Sequence, residues 1–553
     1  MRAPLAPTGL VAPDGRSISR FEVARARASA SVATTAPALS GGFPLAYEGA
    51  GSGGTYFSEW PAALRSADRD VLPVRGALTA RIRERIRNDP VAASSVSRRV
   101  NAVGGKGWQI KFRPNARALG ISLDAARQLG ADLTTEFKLY AYGHAFQSDA
   151  ERKLSFGQQL RLAIRHLAGA DGEALGLAEW ADDEQTRYRT RLRLVDPDRL
   201  CNPNGRPDRD QLRGGVETNT AGVPVRYWIR ERHPTDFAGP GQFNWTGFER
   251  WTEWGRPQVF HVFEPQRAGQ TRGVSRFASV LKSFRALSKF TDATLESATI
   301  NALIVAFMKS NAGPEAVSES FEAGEMKKLE AWRQDHYEKN PISLANGARV
   351  PVLPYGDELK LQTAAKDVGS FDAFTRSILR LISAALDQTY EELTMDFSQV
   401  NYSSARAAMV HAWSDTQATM GLLEDQLVRP FAVAFAEEAF DRGYVQIPDG
   451  APDFYDAIDA YCQIHCIGPG RGYIDPTKEI DAAAARVEAG QSTLEDECND
   501  QGRDWEEVME QRARELAKAE ELGLTAHGGD ALIRVADRAR DPAHDAALDA
   551  RAA

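Results

Sequence analysis

A chain of 553 residues, 43% hydrophobic and 26% charged, has enough apolar material for a large core and, at roughly 150 residues per domain, for several domains. Its formal net charge of −9 excludes a protein that grips nucleic acid through many phosphate contacts, while transient contact with DNA stays open. Four cysteines, Cys201, Cys462, Cys466 and Cys498, are too sparse to staple such a chain and fit free thiols in a reducing compartment.

The first residues, rich in Ala, Gly, Pro and Ser, predict a flexible arm over 1–56, with order beginning near Phe57. They carry arginines but no continuous apolar stretch, so no secretory signal is expected and the chain should be made in the cytosol. Leu78–Arg87 and Pro90–Val103 read as two helices separated by Asn88-Asp89-Pro90, a start signal, and Gly104-Gly105 ends the second. Arg81, Arg83, Arg85 and Arg87 are spaced by two; on a helix they spread around the cylinder, which favours a solvated or inter-subunit face over a binding stripe.

From Trp108 to Phe263 the pattern is mixed. Arg187–Leu194 alternates as a strand, with Tyr188, Thr190, Leu192 and Leu194 on one face and four arginines on the other. Val223–Glu231 and Val259–Phe263 are further strands, and Phe137–Phe146 and Phe156–Leu167 are helical. An α+β, mainly helical fold follows. Val274, Phe277, Leu281, Phe284, Leu287 and Phe290 then form the stripe of a long helix that continues to Met308, before Gly313-Pro314. Ala302–Met308 is far shorter than the roughly 18 apolar residues of a membrane span. Residues 312–370 read as a small α/β insertion, with a polar helix over Met326–Tyr337.

A second helical stripe, Phe371 to Ala385, precedes a polar island, Asn401-Tyr402-Ser403-Ser404-Ala405-Arg406. A helix from about Ser404 to Arg442 follows it, with a kink expected at Pro430. A polar loop held between two stiff rods suits contact with something that moves past it. The C-terminal part is helical, with starts at Asp475-Pro476, Ser492 and Asp504, and 523–553 is an Ala/Asp/Arg-rich tail expected to be disordered.

Constellations for catalysis are incomplete. Gly104-Gly105-Lys106-Gly107 lacks the outer glycine and the Ser or Thr of a phosphate loop, and Ser279 with Lys282 lacks its companion motifs. Cys462 and Cys466 flank His465 without a second metal-ligand pair. Neither a metal, a cofactor nor an enzymatic activity is expected.

The order of short motifs resembles the portal proteins of tailed bacteriophages, specifically the lambda-type family. The likeness rests on Arg87-Asn88-Asp89-Pro90, Val195-Asp196-Pro197-Asp198-Arg199-Leu200, Gly215-Val216-Glu217, Tyr227-Trp228, His233-Pro234 and His261-Val262-Phe263. It continues through Gln270-Thr271-Arg272-Gly273-Val274-Ser275, Tyr390-Glu391-Glu392-Leu393, Asn401–Arg406 and Tyr473–Glu479. The resemblance implies the portal fold and a ring, usually of twelve subunits, at one capsid vertex of the virion, assembled in the host cytoplasm. Double-stranded DNA enters and leaves through it.

By the same resemblance, 57–273 is wing, 274–311 the first stem helix, 312–370 the clip and 371–394 the second stem helix. Residues 395–404 are the tunnel loop, 405–442 the kinked wing helix and 443–522 the crown. Implied partners are the terminase large subunit, a head-completion or connector protein, and the major capsid and scaffold proteins. Gln399, Asn401, Tyr402, Ser403, Ser404 and Arg406 become candidates for DNA contact, with a serine cap on the next helix and Tyr402 packing between subunits as the alternative. Lys327, Lys328 and Arg333 are the clip's candidate docking residues, a solvated face being the alternative. A DNA-processing enzyme of the packaging machinery is the competing class.

Overall fold

A computed structural model describes residues 63–304, 368–398 and 402–521, apart from 184–185, 237–238, 240, 242 and 473–474, together with 328, 331, 332, 335 and 339. The chain divides into Met1–Arg65 and Ser66–Ala553, and the elements below belong to the second unit. The expected arm, the start of order near Phe57, most of the 312–370 insertion and the 523–553 tail lie outside the described residues.

Helix starts follow their caps. α1 (Ala67–Asn88) begins at Ser66, whose Oγ accepts from the Arg69 N–H, well ahead of the expected start at Leu78; it runs through Pro73, which removes one backbone donor. Asp89 starts α2 (Pro90–Gly104) by accepting from Val91 N at 2.9 Å and Ala92 N at 3.2 Å, with Pro90 where an N–H would have no helical partner. Ser122 caps α3 (Leu123–Tyr142), and Ser155 with Gln158 forms a capping box on α4 (Phe156–Ala168). Then come α5 (Phe277–Ile304), α6 (Val368–Ala385), α7 (Tyr390–Thr394), α8 (Tyr402–Leu423) and α9 (Arg429–Asp441). α10 (Pro476–Glu488), α11 (Leu494–Asp500) and α12 (Trp505–Glu521) end the described chain.

The kink expected at Pro430 takes the form of a π-bulge at Glu424–Val428, just ahead of the proline, with the Arg429 N–H reaching the Glu424 carbonyl. Leu423, Val428 and Arg429 all keep right-handed helical angles. Pro430 has no N–H to donate, and one extra residue in the preceding turn accommodates that loss without breaking the rod.

Three antiparallel sheets complete the unit. β2 (Ala174–Trp180) lies between β3 (Thr190–Val195) and β8 (Val259–Val262). β4 (Leu212–Arg213), β5 (Val216–Thr218), β6 (Pro224–Arg230) and β7 (Trp245–Glu249) follow one another in a meander. β1 (Gln109–Phe112) pairs with β9 (Ile464–Ile467), closing a long-range pairing that no local pattern announces. Because side chains alternate across a strand, the β3-β2-β8 sheet serves two cores. Ala174, Leu192, Phe260 and Val262 join the large helical core, whereas Leu175, Leu177, Val195 and Val259 pack with Val216, Tyr227 and Ile229 of the meander. The large core is centred on aromatic rings: Phe435 of α9 lies 5.1 Å from Phe137 and 4.9 Å from Tyr188, and Phe431 stacks on Phe156 at 5.4 Å.

One buried carboxylate ties the short motifs together. Glu173, fully buried, binds Arg272, Arg75 (2.7 Å), the His261 ring (3.1 Å) and the Gly273 N–H (2.6 Å). Arg272 uses its remaining donors on the carbonyls of Pro197 (2.8 Å), Leu200 (2.7 Å) and Gly214 (2.6 Å), so all five of its N–H groups are occupied. Gly273 is required here: a Cβ would lie 2.3 Å from the Gly172 carbonyl oxygen and 2.6 Å from Glu173 Cβ. Nearby, Asp68 of α1 accepts from Thr271 N at 2.8 Å.

The α1 arginines divide. Arg81 and Arg87 are exposed, as expected of a solvated face. Arg83 instead reaches Asp171, Asp196 and Asp198, and the largely buried Arg85 pairs with Asp89. The expectation of a solvated or inter-subunit face fails for these two because their carboxylate partners lie on later elements or at the helix end.

Burial alone would raise the Glu173 carboxyl, but Arg272 first, then Arg75 and the His261 ring, hold it well below the usual carboxylate range. A carboxyl depressed on folding contributes stability that is fully present above its unfolded value, about 4.3, and is lost as pH falls towards the folded value. Glu173→Gln should therefore cost about 3–5 kcal/mol at pH 7, as for a buried pair stripped of one partner. The wild type and variant should converge in stability as pH falls below about 4.3. Denaturant titrations at fixed chain concentration check both; a gap that does not depend on pH would contradict the assignment.

Candidate functional site

The polar island follows a connection whose neighbouring helices are anchored on both sides. α5 and α6 pack through Phe290, whose ring lies 4.3 Å from Phe374 and 5.4 Å from Phe371. Beyond α6, Asp387 takes a positive φ of 50° and the chain turns. Gln388 locks that turn to α2 through both ends of its amide. It accepts from Ser95 Oγ at 2.6 Å and donates to the Ser95 carbonyl at 3.0 Å. Thr389 and Glu392 then form a capping box on α7, which ends at Met395 with φ 59°.

The next residues are ordered by Asp396. It accepts from Ser398 Oγ at 2.6 Å, Ser398 N at 3.1 Å and, at 3.4 Å, from the Tyr390 hydroxyl. The Ser398 hydroxyl, then its N–H, lower the Asp396 carboxyl from its ordinary value. Beside this turn, Arg98 Nη1 lies 2.9 Å from Met395 Sδ.

On the far side, α8 begins at Tyr402, so Tyr402, Ser403, Ser404 and Arg406 belong to its opening turns and the connection is shorter than the expected helix start at about Ser404 implied. Arg406 is exposed. Gln399 and Asn401 lie outside the described residues, as do Lys327 and Arg333; Lys328 is helical and exposed. The structure thus gathers Tyr402, Ser403, Ser404 and Arg406 on one helix end.

α8 is fixed at Asp415, which pairs with Arg99 of α2 and, at 3.2 Å, with Arg276 just before α5. Arg276 also pairs with Asp387, and Arg99 donates to the Leu386 carbonyl at 3.2 Å. The helix before the connection and the helix after it therefore share one ionic cluster. Sequence reasoning missed Arg99, Arg276, Asp387 and Asp415; Arg98-Arg99 was visible as a dipeptide, but partners hundreds of positions away leave no local signal.

Among the described residues, one trio of ligand-type side chains converges: Asp196, Asp198 and His233. The Arg83 guanidinium already sits among them, 3.1 Å from Asp196 and 2.5 Å from Asp198, and supplies the positive charge that a metal would. The strand-borne Cys466 and the buried Cys462 are not in that trio. Burial first, then neighbouring acidic groups, raise both thiols. His465 faces Asn499 at 3.0 Å.

A family model described as phage portal protein, lambda family, matches residues 53–419. The chain belongs to that family. It is 32% identical over 489 residues to the portal protein of Escherichia phage N15, covering 86% of this chain and 91% of that one. It is 31% identical over 487 residues to portal protein B of Escherichia phage lambda, covering 86% and 90%. A solved structure titled as the neck of a native GTA particle computed with C12 symmetry is 13% identical, covers 75% of this chain and 89% of that one, and has a TM-score of 0.37.

As a portal-family chain it is a ring-forming, structural component of the virion, with a role in DNA packaging and ejection at the capsid vertex and no enzymatic role. Among the described residues, no helix is long and apolar enough to cross a membrane.

Asp415→Asn removes one charge from the shared cluster and leaves Arg99 and Arg276 competing for weaker acceptors. Hydrogen exchange in 402–415 should speed up by about tenfold, the equivalent of about 1.4 kcal/mol and close to the lower end of the range for bonds to charged groups, while α9 stays protected. Exchange mass spectrometry checks this; unchanged protection of α8 would show that the cluster does not hold it.

Proposed function

We propose that the segment 395–404 is the tunnel loop of the portal ring and that Gln399, Asn401, Tyr402, Ser403, Ser404 and Arg406 make weak, sequence-independent contacts with DNA in transit. The observation that carries this reading is a short connection, with Asp396 and Ser398 beside exposed Met395 and Phe397, held between helices that share one ionic cluster in a chain of the portal family. Short hydroxyl and amide side chains suit passing contact, because each bond to phosphate or sugar is individually weak. A net charge of −9 per subunit favours sliding over adhesion, since a negatively charged ring repels phosphate.

In this assignment, 57–273 is wing, 274–311 and 371–394 are the stem, 312–370 is the clip, 405–442 is the bulged wing helix and 443–522 is the crown. The ring is a dodecamer. Its clip, with Lys327, Lys328 and Arg333 on the polar helix, receives the terminase large subunit during packaging and a head-completion or connector protein afterwards. The capsid and scaffold proteins surround the wing. The energy for packaging comes from the separate terminase.

Deleting 396–403 should leave ring assembly intact while DNA retention or packaging falls by tenfold or more. The deletion removes a connection, not the faces that pack α5, α6 and α9. Electron microscopy of the rings and a packaging assay read the two outcomes; rings that package normally would remove the loop from the mechanism.

A further inference from the structure

Adjacent arginines on α2 have opposite fates. Successive helical residues are about 100° apart, so Arg99 turns inward to Asp415 while Arg98 turns towards the connection. There its Nε donates to Ser94 Oγ at 3.0 Å and its Nη1 meets Met395 Sδ. Both acceptors are neutral, and a thioether is a weak one, so the guanidinium is positioned without being neutralised.

Arg380 of α6 is held in a comparable way. It is exposed and lies 5.6 Å over the ring of Tyr390, the residue whose hydroxyl reaches Asp396. A cation over an aromatic face keeps its full charge. Arg406 lies one turn into α8 and is exposed. Among the described residues none of these three arginines has a carboxylate partner. Four carboxylates close by in the chain are engaged elsewhere: Asp372 with Arg376, Asp387 with Arg276, Glu392 with the α7 cap and Asp396 with Ser398.

We propose that Arg98, Arg380 and Arg406 contact the phosphate backbone of double-stranded DNA beside the connection between α7 and α8. The inference rests on the tunnel-loop reading above. It takes Arg406 from that reading and adds Arg98 and Arg380, so that guanidinium groups on three helices supply the charged contacts beside those of the loop. Two of them are held in place by neutral partners that leave the charge available. Arg is suited to this task because its planar fork can bridge two phosphate oxygens.

The test uses assembled rings of the full chain and linear double-stranded DNA, with retention measured over a series of KCl concentrations. R98Q/R380Q/R406Q should weaken retention at low salt by about tenfold. It should also flatten the plot of log affinity against log salt by about 0.9 for each phosphate that is no longer neutralised. R98K/R380K/R406K should restore most of the slope, because the charge returns, and Arg127→Gln on the exposed face of α3 should change neither quantity. If the triple variant fails to form rings, Arg380→Gln alone, an exposed position outside the tunnel-loop set, carries the test with a proportionally smaller change. An unchanged slope in intact rings overturns the proposal. If the 396–403 deletion lowers retention while the glutamine variants do not, this inference fails and the loop reading stands; if neither has an effect, both fail.

Discussion

The buried pairing of Glu173 with Arg272 is the constraint on which the packing of α1, the two larger sheets and the start of α5 depends. A carboxylate removed from water needs its charge answered and its lone pairs filled, and Glu173 obtains both from residues far apart in the chain. Arg272 must in turn satisfy five donors, and the carbonyls of Pro197, Leu200 and Gly214 can do so in only one arrangement of the turns that carry them. The pair thereby sets the position of the 196–200 turn, the entry to the meander and the approach to α5. Replacing such a cluster with apolar side chains can leave stability unchanged, so its value here lies in fixing geometry more than in adding free energy.

A second ionic cluster does similar work around the connection between α7 and α8. Arg99, Arg276, Asp387 and Asp415 connect α2, the start of α5, the end of α6 and α8. Between them runs a connection whose described residues, 395–398, are exposed or half-buried. Beyond it, α8 continues through the π-bulge into α9, where Phe431 and Phe435 are locked in the aromatic core and Glu438 accepts from the Arg189 and Thr190 N–H groups at 2.8 and 2.7 Å. α8 thus runs without a break through the bulge into the buried aromatic core. Such a mounting suits the proposed tunnel loop.

Much of this was legible in the sequence, for local reasons. Caps at Asp89 and at Asp475 gave helix starts, because a short polar side chain before a helical stripe has few other uses. The alternation over Arg187–Leu194 gave β3 and the face it buries, although Arg191 is itself buried and paired with Asp183 at 2.8 Å. The start of α1 was misplaced because Pro73 and a polar first turn concealed it. The β1–β9 pairing and both ionic clusters were invisible, since each joins residues whose partners are set by the tertiary fold. The short motifs were legible as a string, and the structure shows where several of them meet: those containing Pro197, Leu200, His261, Arg272 and Gly273 converge on Glu173, directly or through Arg272.

The central claim is that the connection from α7 to α8 faces DNA. The most direct measurement places a photoreactive side chain at Ser403 in the full chain, assembles rings into DNA-filled particles and identifies the crosslinked product after brief irradiation. The account predicts adducts between this position and DNA, spread over many sequences because the contacts are sequence-independent. Adducts exclusively to a neighbouring subunit, with none to DNA, would contradict it.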